Sequence, residues 1–457
     1  MRRTALTAAV HRALLALGSP STGETLVVGL SGGPDSVALT DALAEAGAEG
    51  GFRVVAGHLD HALRPGSRED AVFCVDLCGR LGIPLRAGVA DVRARARRDG
   101  GGLEEAARIE RYAFLRAVMR EEGAAAIAVA HTRDDQAETL LMRLLRGSGS
   151  RGLSGMRPRS GDVIRPLLDV SRAEVLEHLR RRGLPWREDP TNADLSLLRN
   201  RIRRELLPYL ESRFNPKARA VLARTAALLG DEATVLGRLG DALYDGASRH
   251  ERGAVVLARE ALHFASPAVA RVAIRRAIEA EGGLRSVGAE HVEKILALAS
   301  APAPSGRKLP LPGGREASFS FSEVRIGPRK TAAEPFAYPL PVPGRVALPG
   351  GLMVVARRAR GPAASRGEAA IVAAPAGPLV VRTRRPGDRV RARGREVSLR
   401  RFLMERRVPA DDRASLPVVA AGDRVVWVPG EPVEGCAPTD RFLHLELERR
   451  TAQEARA

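Results

Sequence analysis

Residues 24 to about 145 alternate short apolar runs with stretches in which apolar residues recur every three or four positions. The runs predict buried strands, and the periodic stretches predict amphipathic helices. Strands are expected at Thr25–Leu30, Phe52–Leu59, Leu85–Val89 and Ala125–Ala130. Helices are expected at Asp35–Ala46, Ser67–Leu81 and Leu103–Glu122. This alternation is typical of an α/β domain whose doubly wound, mostly parallel sheet is covered on both faces.

The pattern changes after about residue 200, where Ala, Leu and Arg recur with helical periodicity, as in Ala218–Leu239 and Ala268–Ala280. Pro312-Gly313-Gly314, between two short runs, predicts a hairpin turn. A zone rich in Pro, Gly and Ala covers about 327–379. The segment Val380–Gly430 predicts a small mixed α/β domain, with short strands around a helix at Leu399–Arg406.

These patterns divide the 457-residue chain into four expected parts, because a chain of this length exceeds one comfortable hydrophobic core. They are an α/β catalytic domain, a mainly helical domain, a connecting region and a small basic C-terminal domain. Their expected ranges are 1–216, 217–330, 331–379 and 380–450.

The segment Ser31-Gly32-Gly33-Pro34-Asp35-Ser36 joins the first predicted strand to the first predicted helix. Glycines allow close backbone approach to a ligand, and the following helix N-terminus attracts anions, so the segment predicts a phosphate-binding loop. A Walker loop would carry Lys where this chain carries Asp35. A carboxylate beside phosphates is useful if it holds Mg²⁺ or a cationic nucleophile. The alternative is an ordinary strand-to-helix turn.

A second polar motif, His58-Leu59-Asp60-His61, ends the second predicted strand. Its side chains could contact the base, ribose and phosphate of a nucleotide. The spacing of His58 and Asp60 also allows a metal site, because both lie on one face of a strand. A solvated loop is the third alternative.

A third motif, His131 to Glu138, follows the fourth predicted strand. One of its two adjacent acids, Asp134 or Asp135, is expected to cap the next helix. Asp135 and Glu138 would share a helix face, where they could hold Mg²⁺ or an ammonium group. His131 could bind phosphate or transfer a proton. Ligands of such sheets bind beyond the carboxyl ends of the strands, so all three motifs are expected at one crevice.

Charge points to a polyanionic partner, since 73 Lys and Arg residues oppose 54 Asp and Glu residues and give a net charge of +19. Nucleic acid is the leading candidate. Arg108 and Arg111 share a helix face with Tyr112, which could be a functional face or a salt-bridged surface. The basic loop containing Arg151 could close over a substrate or contact RNA phosphate. The segment with Arg199, Arg201 and Arg203 could be either an RNA-binding or a solvated face. These six arginines are the basic candidates in the first part of the chain.

Three cysteines, Cys74, Cys78 and Cys436, form neither a disulfide framework nor a four-ligand zinc set, which fits a reducing cytoplasm. No run of about 18 apolar residues predicts a transmembrane helix, so we expect no membrane association.

Taken together, the motifs resemble those of the tRNA(Ile)-lysidine synthetase family, within the PP-loop ATP pyrophosphatases. The resemblance is continuous over about 24–216, and 380–430 is similar to the C-terminal domain of that family. Two positions depart from the family pattern, because Arg400 and Arg401 stand where lysines are usual and Thr132 where many members have a second histidine. The shared motifs are the phosphate loop, His-Leu-Asp-His-x-Leu-Arg, Ala-Arg-x-x-Arg-Tyr, His-x-x-Asp-Asp-Gln-x-Glu-Thr, Arg-Gly-Ser-Gly-x-x-Gly-Leu, Pro-Leu-Leu, Asp-Pro-Thr-Asn and Arg-Asn-x-Ile-Arg.

The resemblance implies an adenine nucleotide α-hydrolase-like fold and an enzyme that uses ATP and Mg²⁺ to join free L-lysine to C2 of the first anticodon cytidine. The RNA would be an isoleucine tRNA with a CAU anticodon. The implied ATP-binding residues are Ser31, Gly32, Gly33, Pro34, Asp35, Ser36, His58 and Asp60, with Asp35 also a Mg²⁺ ligand. The implied catalytic residues are Asp35, Arg108, Arg111, His131, Asp135 and Glu138, of which His131 and the two arginines would supply positive charge. The implied tRNA-binding residues are Arg151, Arg199, Arg201, Arg203, Arg384, Arg389, Arg400 and Arg401.

Two other functions compete with this interpretation. A related class of enzymes uses the same adenylation to add sulfur, usually with paired cysteines; here Cys74 and Cys78 are expected to be core residues of a helix. A non-catalytic RNA-binding protein is the other alternative, but it would not need the acids at Asp134, Asp135 and Glu138. A homodimer is left open by the sequence.

Overall fold

The computed structural model describes residues 4–62, 66–100, 102–188, 194–251, 253–302, 304–329, 334–360, 369–392, 394–430 and 442–449. Predictions for Leu63 and Arg64, for the Asp-Pro-Thr-Asn motif at 189–192 and for Cys436 lie outside these residues. The chain forms two compact units, Met1–Val235 and Leu236–Ala457. Within the described ranges, no helix is long and apolar enough to cross a membrane.

The first unit is built on a six-stranded sheet with the order β3-β2-β1-β4-β6-β5. All neighbouring strands are parallel except the edge strand β5, which is antiparallel to β6. The structure therefore confirms the predicted mostly parallel sheet. The strands are β1 (Thr25–Gly29), β2 (Arg53–Asp60), β3 (Leu85–Val89), β4 (Ala126–Ala128), β5 (Arg159–Ser160) and β6 (Val163–Ile164).

Helices cover both faces of this sheet. Leu26 and Val28 of β1 pack into one apolar cluster, and Val27, between them, packs into another on the opposite face. Such a fully buried strand needs apolar residues at consecutive positions, as its sequence has. The helices are α1 (Ala5–Leu17), α2 (Pro34–Gly50), α3 (Ser67–Leu81), α4 (Val92–Asp99), α5 (Leu103–Glu121), α6 (Arg133–Leu145), α7 (Ser150–Leu153), α8 (Arg172–Arg182), α9 (Leu198–Arg201) and α10 (Leu207–Arg213), with a π-helical turn at Ile202–Leu206. The next helix, α11 (Ala218–Ala247), begins in the first unit and continues past Val235 into the second.

A buried polar cluster joins three helices of the first unit. His178 of α8 is hydrogen-bonded through Nδ1 to Thr4 Oγ1 at 2.7 Å and through Nε2 to Asp41 Oδ2 of α2 at 2.9 Å. Arg182 donates to the same Asp41 carboxylate at 2.9 Å. Thr4 is also the N-cap residue of α1. These contacts fix the packing of α1, α2 and α8 against one another.

The second unit begins with a five-stranded sheet of order β7-β8-β11-β10-β9, packed against three helices. The hairpin predicted around Pro312-Gly313-Gly314 is confirmed, with Arg315 paired to Leu311. The sheet adds strands to a region that we expected to be mainly helical. The elements are β7 (Ser248–His250), β8 (Val255–Ala258), α12 (Arg259–Phe264), α13 (Pro267–Ala280), α14 (Ala289–Ser300), β9 (Lys308–Leu311), β10 (Arg315–Phe319) and β11 (Glu323–Pro328).

Two further sheets complete this unit, and Val354, Val381, Trp427 and Leu445 from both sheets share one core. Four strands lie where the Pro and Gly content had suggested a connecting region, because short strands fit between closely spaced turns. The short strands and the helix predicted from Val380 onward are present, and β12, which precedes Val380, belongs to the same sheet. The elements are β12 (Ala337–Leu340), β13 (Gly344–Leu348), β14 (Leu352–Ala359), β15 (Ala369–Ala373), β16 (Leu379–Thr383), β17 (Arg389–Ala392), β18 (Arg395–Ser398), α15 (Leu399–Glu405), α16 (Ala410–Ser415), β19 (Pro417–Ala421), β20 (Arg424–Trp427) and β21 (Phe442–Arg449).

Candidate active site

The strand order of the first unit reverses between β1 and β4, because the chain continues from β1 to β2 on one side while β4 and β6 lie on the other. A crevice at such a switch point, beyond the carboxyl ends of the strands, is the usual ligand site of open α/β sheets. The loops that follow β1, β2 and β4 meet there, as the sequence predicts.

The phosphate loop Ser31–Ser36 is closed by its own serines. Ser36 Oγ donates to the Gly33 carbonyl at 2.8 Å and accepts from the Ser31 backbone N–H at 3.2 Å. Gly32 has a φ of 84°, a left-handed conformation that suits glycine. Gly33 is the N-cap residue of α2 and Pro34 is its first residue, so the positive end of this helix opens onto the crevice.

A cavity of about 440 Å³ lies at this loop, and we call it the phosphate-loop cavity. It brings together most of the candidates for nucleotide binding and catalysis, and Tyr112 and His61 also line it. Gly32 and Pro34 belong to the same loop. The lining candidates are Ser31, Gly33, Asp35, Ser36, His58, Asp60, Arg108, Arg111 and His131.

Four buried polar atoms at this cavity have no hydrogen-bond partner among the described residues. They are Asp35 Oδ1, His58 Nε2, His61 Nδ1 and His131 Nδ1. A buried polar atom without a partner costs free energy, so such atoms mark a place where a ligand can supply the missing hydrogen bonds. A nucleotide has the donors and acceptors to do so, and the residues present therefore fit ATP.

Asp35 lies in the first turn of α2 and forms an ion pair with Arg172 of α8. Burial raises the pKa of Asp35 to about 6, although the positive charge of Arg172 opposes this effect. Within the described ranges, no group of three or more His, Cys, Asp or Glu side chains is arranged to hold a metal ion. Mg²⁺ at Asp35 would therefore take most of its oxygen ligands from phosphate and water, as Mg²⁺ usually does at nucleotide sites.

Two of the three histidines that line the cavity, His58 and His131, lie in different settings. His58 Nδ1 lies 2.9 Å from the Leu30 carbonyl, which assigns a proton to Nδ1, while Nε2 has no partner among the described residues. Burial holds the pKa of His131 well below its ordinary value, against the opposing charge of Asp135. Burial thus disfavours the charged form of His131 in this arrangement, and our expectation that it supplies positive charge at the phosphates stays a prediction.

Positive charge in the cavity comes from Arg108 and Arg111 of α5. The Arg108 guanidinium lies 5.1 Å from the centre of the Tyr112 ring. Enclosure in the cavity lowers the pKa of Arg111, and the nearby Arg108 lowers it further. Neither arginine has a carboxylate partner within 4.0 Å among the described residues, so both are available to an anionic ligand.

Asp135 and Glu138 are not open carboxylates, because Arg199 and Arg203 pair with both. Asp135 Oδ1 accepts from Arg199 at 2.7 Å and from Arg203 at 3.1 Å. Glu138, which is fully buried, accepts from Arg199 at 2.9 Å and from Arg203 at 2.5 Å. Asp135 Oδ2 accepts from the backbone N–H of Thr132, the N-cap residue of α6. We call these four residues the four-charge cluster.

This cluster changes the interpretation of the basic segment after residue 198. Arg199 and Arg203 contact carboxylates and are about two-thirds buried, whereas Arg201 is 60% exposed. Arg199 and Arg203 therefore lie in an ion-pair cluster, whereas Arg201 lies on an accessible face, and tRNA binding by these three arginines stays a prediction. Thr132 is the N-cap residue and Asp135 completes its capping box, so one of the two acids does take part in capping as expected. Asp134 instead accepts from Arg219 at 3.0 Å and from the Arg172 backbone N–H at 2.9 Å.

The remaining candidates for RNA contact lie on accessible surface. Arg151 of α7 is exposed, as are Arg389 of β17 and Arg400 and Arg401 of α15. Arg384 is half-buried and donates to the carbonyl of Arg413 at 3.1 Å. The contribution of each to tRNA binding stays a prediction.

Both described cysteines are core residues, as expected. Cys74 and Cys78 are 0% and 2% exposed, and burial raises their pKa values to about 12 and about 11. Thiols of this kind are poor nucleophiles, since reactivity requires the thiolate. These two cysteines give no support to a sulfur-transfer reaction.

Arg172 is the site residue that the motifs did not reveal. It lies 137 positions beyond Asp35 in the chain, and no motif singled it out. The local signal was the capping box of Ser171 and Glu174, which places Arg172 at the start of a helix. The partner of that helix could not be read from the sequence.

Family models match three parts of the chain. A PP-loop domain matches residues 6–210, a TilS substrate binding domain matches 257–325 and a TilS substrate C-terminal domain matches 379–440. The first match contains the phosphate loop, the cavity and the four-charge cluster.

Curated relatives match along most of the chain. The tRNA(Ile)-lysidine synthase of Geobacter sulfurreducens is 38% identical over 426 residues, which cover 89% of each chain. That of Dehalococcoides mccartyi is 32% identical and covers 97% of this chain and 99% of the relative. That of Thermus thermophilus is 40% identical and covers 89% of this chain and 69% of the relative. The chain therefore belongs to the tRNA(Ile)-lysidine synthase family of enzymes.

Proposed function

We propose that this enzyme joins free L-lysine to C2 of the first anticodon cytidine of an isoleucine tRNA with a CAU anticodon, at the expense of ATP. Family membership supports the tRNA substrate and the product. The observation that carries the chemistry is the phosphate-loop cavity, where unpartnered polar atoms and two arginines without carboxylate partners surround a helix N-terminus.

The reaction needs two steps, because oxygen on C2 of cytosine is a poor leaving group. In the first step this oxygen attacks the α-phosphorus of ATP, the bond to the β-phosphate oxygen breaks, and pyrophosphate leaves. In the second step the ε-amine of lysine attacks C2, the C2–O bond breaks with loss of AMP, and the amine nitrogen loses a proton. The products are lysidine, AMP and pyrophosphate.

The residues of the cavity divide the work of the first step. Ser31 to Ser36 would hold the phosphates through backbone N–H groups and the helix N-terminus. His58 and Asp60 would orient the nucleotide, while Arg108 and Arg111 would stabilise negative charge as it develops on the α-phosphate. Mg²⁺, bound by Asp35 and the phosphates, would neutralise charge on the leaving group. His131 would act as a neutral hydrogen-bonding group.

Asp135 and Glu138 are proposed to orient lysine in the second step. Both already accept hydrogen bonds from Arg199 and Arg203, so the total charge of the cluster is balanced. For an ammonium group to reach either carboxylate, at least one arginine contact has to be exchanged. Once an arginine has moved away, the remaining negative charge of the cluster would favour a cationic ligand.

The tRNA itself is proposed to contact exposed arginines and the half-buried Arg384. The exposed arginines are Arg151, Arg201, Arg389, Arg400 and Arg401. Arg199 and Arg203 were predicted in this role, but their contacts favour a role in the four-charge cluster instead. The first anticodon cytidine would be splayed out of the anticodon loop and enter the cavity.

A transfer assay tests the proposal. The full-length enzyme is incubated with ATP, Mg²⁺, labelled lysine and unmodified CAU isoleucine tRNA, and label on the RNA is measured together with pyrophosphate release. We expect one lysine per tRNA, no transfer without ATP, and unchanged transfer when Cys74 and Cys78 are both replaced by Ala. Pyrophosphate release without lysine incorporation would overturn the assigned product, and no release at all would favour a non-catalytic RNA-binding protein.

A further inference from the structure

The phosphate loop has no cationic side chain. Its residues, Ser31 to Ser36, are two serines, two glycines, a proline and the acid Asp35. A leaving pyrophosphate carries several negative charges, and Walker loops meet this need with a lysine. In this fold a guanidinium from another helix reaches the same place, because Arg172 Nη1 of α8 donates to Asp35 Oδ2.

The contact with Asp35 uses only part of Arg172. A guanidinium has five N–H donors, and Asp35 is the single acceptor of this side chain in the part of the chain that the structure describes. The side chain is 38% exposed, so its other donors can reach a ligand. Asp35 Oδ1 is buried and also lacks a partner among those residues. The pair thus keeps one carboxylate oxygen and most of the guanidinium donors available.

The helix that carries Arg172 is held in place along its length. At its start, Ser171 caps the helix and the Arg172 backbone N–H donates to Asp134 Oδ2 at 2.9 Å. Further along, His178 and Arg182 of the same helix bond to Asp41, six residues beyond Asp35 on α2. Two helices cross-linked at two levels present the guanidinium at a fixed position, which is the arrangement that a precise binding site needs.

We propose that Arg172 is a phosphate ligand that binds the β- and γ-phosphates of ATP and then the leaving pyrophosphate, in place of the lysine that the loop lacks. The proposal deepens the proposed function and rests on it only in that ATP is cleaved at this loop. Arg172 orients one oxygen of Asp35 while its remaining donors contact phosphate oxygens. A guanidinium suits this task because its fork of donors matches two phosphate oxygens at once.

Binding of inorganic pyrophosphate tests the proposal without tRNA or lysine. The Kd of pyrophosphate and of AMP is measured by calorimetry, with MgCl₂, for the full-length protein and for Arg172→Gln. We expect pyrophosphate to bind about 10- to 100-fold more weakly, the range for loss of a hydrogen bond to a charged group, and AMP to change by less than about 3-fold.

Arg180→Gln is the matched control, since Arg180 lies on the same helix, is 63% exposed and pairs only with Glu177 among the described residues. It removes the same charge and should leave both Kd values unchanged. If Arg172→Gln does not fold, Arg172→Lys replaces it, because loss of the fork alone should weaken pyrophosphate binding several-fold.

Three results would overturn the proposal: unchanged pyrophosphate affinity in Arg172→Gln, unchanged affinity in Arg172→Lys where the first variant does not fold, or an equal loss of pyrophosphate and AMP affinity, which would mean that Arg172 only shapes the loop. The proposed function fails separately. If the protein binds pyrophosphate through Arg172 but transfers no lysine to tRNA, Arg172 remains a phosphate ligand and the proposed lysine transfer is wrong.

Discussion

The phosphate-loop cavity and the four-charge cluster belong to the same unit but treat their polar atoms in opposite ways. At the cavity, four buried polar atoms have no partner among the described residues. In the cluster, all four carboxylate oxygens of Asp135 and Glu138 accept hydrogen bonds. Because an unpaired buried polar group costs more free energy than a paired one, a ligand should stabilise the cavity, whereas the polar atoms of the cluster already have their partners.

This difference predicts that substitutions in the cavity and in the cluster have different effects. A substitution in the cavity should reduce catalysis with little loss of stability, because its side chains have few partners to lose. A substitution in the cluster should reduce stability first, since it leaves a buried charge without its partner. Measuring the rate of catalysis and the free energy of unfolding on the same variants tests this distinction.

The largest expected effect is that of Asp35→Ala. Loss of the carboxylate removes the Mg²⁺ ligand and leaves Arg172 without its acceptor, so we expect pyrophosphate release to fall by at least about 100-fold. The affinity for tRNA should stay within a few fold, because Asp35 lies at the nucleotide end of the site. Filter binding and pyrophosphate release on one preparation check both; retained turnover would remove Asp35 from the mechanism.

The next largest effect is that of Glu138→Gln on stability. Glu138 is fully buried and pairs with two arginines, and breaking such a pair should cost about 3 kcal/mol of unfolding free energy. We take the low end of the range because the two arginines are about one-third exposed. Urea unfolding measures this cost. A loss of lysine transfer with no loss of stability would show that the cluster is as open to a ligand as the cavity.

Arg108→Gln should have the opposite effect, a loss of catalysis without a loss of stability, and this effect should be smaller than the two above. Arg108 has no carboxylate partner among the described residues and lies near Arg111, so its removal relieves repulsion and should leave the unfolding free energy unchanged or slightly higher. The rate of pyrophosphate release should fall about tenfold, less than for the loss of a sole stabilising donor, because Arg111 remains to supply positive charge. Unfolding at lower urea concentration than the wild type would mean that Arg108 is a structural residue.

A smaller effect should distinguish the exposed from the paired arginines in tRNA binding. The double variant Arg400→Gln and Arg401→Gln should weaken binding a few fold and reduce the slope of log K against log salt by up to about 2. The double variant Arg199→Gln and Arg203→Gln is the comparison and should leave the slope unchanged where it folds. Equal slopes in the two variants would return Arg199 and Arg203 to the tRNA-binding residues.

The smallest effect concerns pH and the buried cluster of Asp41, His178 and Thr4. Burial alone would raise the pKa of Asp41, but hydrogen bonds from His178 and Arg182 lower it below the ordinary value. A carboxyl with a lowered pKa in the folded state stabilises the protein fully above the unfolded value of about 3.9, and this stability is lost as pH falls below it. Urea unfolding between about pH 6 and 3 should therefore show a flatter acid profile for Asp41→Asn. An identical profile would assign the acid dependence to other carboxyls.

The parts of the site that the sequence predicts are those coded by neighbouring residues. Glycines and a proline around Asp35 specify a loop and a helix start, and apolar runs before each motif specify parallel strands, so the meeting of three motifs could be inferred. The pairing of Asp135 with Arg199 could not, since 64 positions separate them and each residue has a plausible role alone. The burial that lowers the pKa of His131 could not be inferred either, because it depends on distant elements.

The fold shows the same limit in its second unit. Strands such as Val255–Ala258 are short and lie among helices rich in Ala and Leu, so helical periodicity dominates the pattern around them. Four strands between Ala337 and Ala373 alternate with turns, and the Pro and Gly of those turns dominate the composition. In both regions pairing with strands far along the chain decides the structure, and no local pattern records such pairing.

The bond between Thr4 and His178 has a practical consequence for anyone who wishes to shorten this protein. Removal of Thr4 would take one hydrogen-bond partner from the buried His178 imidazole and weaken the packing of α1 against the rest of the first unit. A shortened protein should therefore keep the chain from Thr4 onward.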